Sequence, residues 1–175
     1  LGLLELATEA GHRLDSLHLG AYDLLSALGV LPAAQGLGHS HCVDARGHIV
    51  RVAAALGVRA VDGATTRLPL PVHRAEGEPL SEAAQRENHA AVVGAWRSHA
   101  DAVRAACSVG VWQGWDLHPA QLPARYGALF DVLAEGVEDT VVRMANFVSA
   151  AAQATRVGQA FDDAATARGL AAHLA

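Results

Sequence analysis

Leu14-Asp15-Ser16-Leu17-His18-Leu19-Gly20-Ala21-Tyr22-Asp23-Leu24-Leu25-Ser26-Ala27-Leu28-Gly29 reads as a buried strand, a tight turn and the opening of a helix. Leu14, Leu17 and Leu19 supply the apolar strand. Gly20 lets the backbone turn sharply and lets a ligand approach with no Cβ in the way. Asp23 then falls at the mouth of the helix, where backbone N–H groups point outward and favour anions. As a bare pattern, Asp23 is also a good helix cap. An acid beside free amides at the C-terminal end of a strand is where an α/β protein places its chemistry.

Working outward, strand and helix patterns alternate. Residues 3–10 read as the tail of an amphipathic helix that Gly11 ends. The helix after Asp23 stops at Gly29, and residues 30–40 form a loop. Residues 41–56 are helical on a stripe of Val43, Val50, Ala53, Ala54 and Leu56, with Gly57 as C-cap. A second strand runs over 58–61, and a long loop with three prolines covers 63–80. Loops of this length in a compact domain are more often functional than idle. Ser81 caps a helix reaching about residue 108, with Val92, Trp96, Val103 and Cys107 inward. A third strand is expected over 111–117, then a helix with Leu122, Tyr126, Leu129, Phe130 and Leu133 inward, broken at Gly136. Helices over 138–156 and 160–173 follow. The pattern predicts an α/β fold with a parallel sheet and right-handed crossovers.

Composition narrows the function classes. The chain has 175 residues, about half apolar, with a net charge of −5 and no basic run. This balance argues against nucleic-acid and anionic-membrane partners. No apolar run approaches the roughly 18 residues that span a bilayer. Cys42 and Cys107 form no CxxC pair, so a reduced, cytoplasmic setting is expected. All 13 basic residues are arginine. Without lysine, the chain forms no Schiff base with a carbonyl substrate and no phosphate-loop ammonium. Aldolase-type chemistry would therefore need a metal or general acid–base groups.

Three short motifs stand in register over residues 14–121. Gly20-Ala21-Tyr22-Asp23-Leu24 followed by Leu28-Gly29 resembles the glycine-x-x-aspartate-leucine signature of the HpcH/HpaI aldolase and citrate lyase β-subunit family. Ala60-Val61-Asp62-Gly63 resembles that family's next strand end. Gly114-Trp115-Asp116-Leu117-His118-Pro119-Ala120-Gln121 resembles its closing strand and His-Pro turn. The resemblance implies a TIM (β/α)8 barrel, of which this chain holds the C-terminal part: about three strand–helix units over residues 1–136, with a helical extension over 137–175. A full barrel needs eight strands and roughly 250 residues. The chain also begins at Leu1 rather than Met.

The same resemblance implies a carbon–carbon lyase acting on a 2-oxo acid, a hydroxy acid or an acyl-CoA. Asp23 corresponds to one of two acidic ligands of Mg2+ or Mn2+, and the turn at Gly20, Ala21 and Tyr22 to the site of the substrate carboxylate. The second acid and the early-strand basic residues of the family have no counterpart here, so these 175 residues alone are expected to be inactive. Asp62 either faces the substrate or anchors the long loop, and Trp115 either lines the site or packs. His118 is either a general acid–base group or a helix cap. Family members assemble as trimers or hexamers. The non-catalytic alternative is a truncated relative whose open sheet edge a partner covers. His39, His41, Cys42 and His48 match no common zinc spacing, and the histidines read as surface residues.

Overall fold

The computed structural model describes residues 2–112, 114–149, 155–157, 160–162 and 164–174. They form two compact units, Leu1–Leu129 and Phe130–Ala175. In the first, helix α1 (Gly2–Ala10) leads to strand β1 (Ser16–His18), helix α2 (Ala21–Ala27), helix α3 (Ser40–Leu56), strand β2 (Arg59–Val61) and the long helix α4 (Glu82–Cys107). Helix α5 (Leu122–Ala134) contains the boundary.

β1 and β2 pair in parallel, Ser16 with Arg59, Leu17 with Ala60 and His18 with Val61. The ladder continues one step, as Leu19 N–H donates to the Val61 carbonyl at 2.9 Å. Both strands therefore end side by side, and the turns that follow them lie at one edge. Leu19, Ala21, Leu25 and Cys42 make the core beneath this edge, flanked by Tyr22, Leu24, Val30, Leu37 and Ile49. Gly57 ends α3 in the left-handed region, φ 68°, a conformation that disfavours side chains with a Cβ. Ser81 caps α4, its hydroxyl accepting from Ala84 N–H at 3.3 Å. Asn88 on α4 then clamps the long loop, accepting from His73 N–H and donating to its carbonyl.

In the second unit, helix α6 (Val137–Ser149) and helix α7 (Ala164–Leu174) flank an antiparallel hairpin of β3 (Thr155–Val157) and β4 (Ala160–Asp162). His173 bonds the Thr140 hydroxyl at 2.9 Å and the Leu133 carbonyl at 3.2 Å.

Several expectations are corrected. None of the described residues of 111–117 is in a strand. A strand needs a neighbouring ladder, and side chains serve this segment instead: Arg125 donates to the Trp115 carbonyl, and Gln121 accepts from Leu117 N–H. The helix expected over 138–156 ends at Ser149, and residues 155 and 156 belong to the hairpin, as do 160–162 at the start of the next expected helix; residues 150–154 lie outside the described set. On α3 the buried residues are Cys42 and Ala53; Ala53 belongs to the expected stripe, whereas Val43 is 50% exposed. Trp96, Leu122, Tyr126 and Phe130, expected inward, are all exposed. Helical spacing names a shared face, but what covers that face is a tertiary matter.

Candidate functional site

The turns after β1 and β2 and the segment before α5 enclose a cleft of about 100 Å³. Leu19, Gly20, Ala21, Tyr22 and Asp23 form one wall, Gly63 and Ala64 the floor, and Trp115 and Leu117 the other wall. Five of the seven residues singled out from the sequence thus meet in one place. Gly20 is the N-cap of α2, and Asp23 lies in its first turn. The amides of a first helical turn have no partner within the helix, so this wall carries N–H groups that the helix leaves unused. The Asp23 carboxylate folds back over Gly20, where a Cβ would sit 3.2 Å from Oδ2. Position 63 needs glycine for a different reason: a Cβ there would lie 2.9 Å from Leu37 Cδ2 and 3.1 Å from Ala21 Cβ.

Trp115 is 47% exposed and yet fixed. Its Nε1–H donates to His18 Nδ1 at 2.8 Å, and the two rings meet edge to face with centroids 5.7 Å apart. Because Nδ1 accepts, the neutral ring carries its proton on Nε2, which bonds Ser16 Oγ at 2.8 Å.

Asp62 and His118 each have partners of their own. Asp62 does not line the cleft. Its Oδ2 accepts from Arg46 Nε at 2.9 Å and its Oδ1 from Gly63 N–H at 2.8 Å, and Arg46 also donates to the Leu37 carbonyl at 3.1 Å. Its two oxygens thus join α3 to the first amide of the long loop. His118 caps the 3₁₀ turn Pro119–Gln121, its Nδ1 accepting from Ala120 N–H at 3.1 Å. His39 caps α3 in the same way, accepting from His41 N–H.

Behind the Trp115 wall lies a polar cluster that motif reading missed. His99 on α4 is 2% exposed and bonds Thr65 and Asp116. Arg125 Nε donates to Asp116 Oδ2 at 2.7 Å. Burial pushes the His99 imidazole below its usual range; the Asp116 hydrogen bond opposes this and Arg125 adds to it. A signal was available: 92, 96, 99, 103 and 107 share one helical face, so His99 stands on the stripe assigned to the core. Burial likewise raises both thiols, Cys42 and Cys107, which makes them poor nucleophiles.

Among the described residues, no group of three or more His, Cys, Asp or Glu is placed to share a metal. Asp23 is the sole acid among the described residues that line the cleft. A hard cation such as magnesium wants about six oxygens, so the described residues alone do not make its site.

A family model described as "Domain of unknown function (DUF6986)" matches residues 2–175. The chain belongs to the DUF6986 family. No curated protein matches this DUF6986 chain at a significant level. Solved structures do share its fold. A citrate lyase from Burkholderia xenovorans LB400 superposes with a TM-score of 0.64 at 20% identity, over 98% of this chain and 47% of its own. CitE from Mycobacterium tuberculosis, solved with magnesium, acetoacetate and coenzyme A, gives 0.60 at 18% identity, over 91% and 49%. The DUF6986 chain thus spans about half the length of either structure. No helix of its described residues is long and apolar enough to cross a membrane.

Proposed function

We propose that this chain is the C-terminal part of a (β/α)8-barrel carbon–carbon lyase acting on a small carboxylate or a CoA ester. The observation that carries the reading is the convergence of Gly20, Ala21, Tyr22, Asp23 and Trp115 on one cleft beyond the ends of two parallel strands. The likeness in fold to a citrate lyase and to CitE supports it. In this reading the first-turn amides of α2 receive the substrate carboxylate, as helix N-termini receive anions. Tyr22, Trp115 and Leu117 shed water from the reacting bonds. A divalent ion such as Mg2+ or Mn2+ would supply Lewis acidity, and among the described residues of the cleft the Asp23 carboxylate would hold it. The remaining oxygen ligands and the acid–base groups come from outside the described residues, and the working form is a homo-oligomer in a cytoplasmic setting.

The test is Mn2+ binding and carbonyl-product release from β-hydroxyacyl-CoA and 4-hydroxy-2-oxo acid substrates by the native protein. Asp23→Asn should weaken Mn2+ binding and lower turnover by more than about 10-fold, at least what loss of an outer-shell partner costs. Equal binding and turnover in Asp23→Asn would overturn the reading. Absence of both activities in the native protein would favour a non-catalytic interaction module. That second reading draws on the β1–β2 pair, which has no further strand on either edge among the described residues.

A further inference from the structure

The geometry points to His99 as the positioning residue of the cleft, the strut that sets its floor against its Trp115 wall. This rests on the reading of the cleft as the functional site. Thr65 directly follows the floor residues Gly63 and Ala64, and Asp116 sits between the wall residues Trp115 and Leu117. His99 reaches from α4 between them, with Nδ1 2.6 Å from Thr65 Oγ1 and Nε2 2.8 Å from Asp116 Oδ1. Arg125 clasps the same wall, donating to Asp116 Oδ2 and to the Trp115 carbonyl, both at 2.7 Å. Gln121, fully buried, closes the loop: its Nε2 donates to Thr65 Oγ1 and the Thr65 carbonyl, and its Oε1 accepts from Leu117 N–H at 2.8 Å.

Donors and acceptors assign one direction to the whole cluster. Asp116, paired with Arg125, only accepts, so His99 Nε2 carries a proton and donates. In the neutral ring that burial favours, Nδ1 accepts, so the Thr65 hydroxyl donates to it and receives from Gln121. Both ring nitrogens are then satisfied, which fixes the orientation of the ring. An imidazole is the side chain that offers a donor and an acceptor on opposite sides of a rigid plane. The cavity beside His99 is about 20 Å³, room for about one water, so His99 meets no substrate and acts through the two loops.

Two substitutions of like shape separate positioning from packing. His99→Phe removes both bonds, and Thr65→Val removes the one hydroxyl, while Thr65→Ser keeps it. The readouts are the 19F resonance of Trp115 in the native protein labelled with 5-fluorotryptophan, assigned by its loss in Trp115→Phe, and hydrogen exchange at the Leu117 amide. His99→Phe and Thr65→Val should both shift the Trp115 resonance and speed Leu117 exchange by about tenfold, the worth of one hydrogen bond. Thr65→Ser should leave both unchanged. If Thr65→Val folds with an unmoved Trp115 resonance and native Leu117 exchange, the strut role is wrong and His99 is packing alone. Neither readout involves metal or turnover, so failure of the lyase reading would leave this result standing, and the reverse.

Discussion

Asp62 directly follows β2, and its role is decided by what happens when Arg46 is removed. The pair is buried, the side chains 13% and 6% exposed, with Nε and Oδ2 2.9 Å apart. In Arg46→Met, Asp62 keeps a single donor, the Gly63 amide at 2.8 Å, and the Leu37 carbonyl loses its guanidinium partner. Breaking a buried pair from one side costs about 3–5 kcal/mol, because a charge is left behind without compensation. We expect about 3 kcal/mol, the low end, since one amide still serves the carboxylate. For a chain of this size that is a fall in Tm of about 6–12 °C. Replacing both partners, as in Arg46→Met with Asp62→Leu, removes the stranded charge and should cost less than Arg46→Met alone. The assay is urea unfolding of the three variants beside Arg59→Ala. That substitution breaks the exposed Arg59–Asp15 pair and should cost under about 1 kcal/mol. A loss below about 1 kcal/mol in Arg46→Met, or a double variant equal to the sum of its parts, would refute the anchor role. Asp62 would then be free to serve the substrate.

Two further expectations follow from the same neighbourhood. Burial holds His99 neutral with its pKa below the ordinary value of about 6.5. Below that pH the unfolded chain takes up a proton that the folded chain refuses. Stability should therefore decline toward acid, by up to about 1.4 kcal/mol per pH unit, until the folded imidazole itself protonates. His99→Phe should flatten that slope in urea titrations run between pH 5 and 8, and an unchanged slope would mean another group sets it. Gly63→Ala should destabilise by about 1–3 kcal/mol through overpacking, since its methyl would meet Leu37, Ala21 and the Leu19 carbonyl. A thermal midpoint equal to that of the parent would show that the cleft floor yields.

The legible parts of the fold are those that single residues dictate. Gly11, Gly29, Gly57 and Gly136 all take positive φ, and each closes the helix or turn it was expected to close. Ser81 caps its helix because a hydroxyl in that position satisfies an orphan amide whatever the rest of the chain does. What was not legible depends on a second segment. The 111–117 stretch has strand-like composition, but composition supplies no neighbouring ladder. The paired strands Thr155–Val157 and Ala160–Asp162 stand in an alanine-rich region that favours helix by local propensity. Tyr126 and Phe130 are spaced as a buried face and stand exposed, because periodicity shows which residues share a face and not what lies against it.

The candidate site divides along the same line, and the division bears on how it works. Gly20, Ala21, Tyr22 and Asp23 are contiguous, so reading one strand-to-helix turn is enough to place them together. Trp115 joins them from 97 residues away in its bond to His18, and only the order of motifs pointed there. The residues that hold the two sides at a set distance were hardest to see. Thr65 and His99 are 34 positions apart and His99 and Asp116 are 17 apart, each an unremarkable residue type until its partner is known. Buried polar groups of this kind are tolerated only when fully satisfied, and each member then depends on the others. Asp62 shows the same economy on the other strand end, its charge spent on Arg46 while the neighbouring glycine keeps the floor low. In the proposed reading, recognition of the ligand falls to Asp23 and the backbone of one turn, while Asp116 and Arg125 behind the cleft brace that turn's opposite wall.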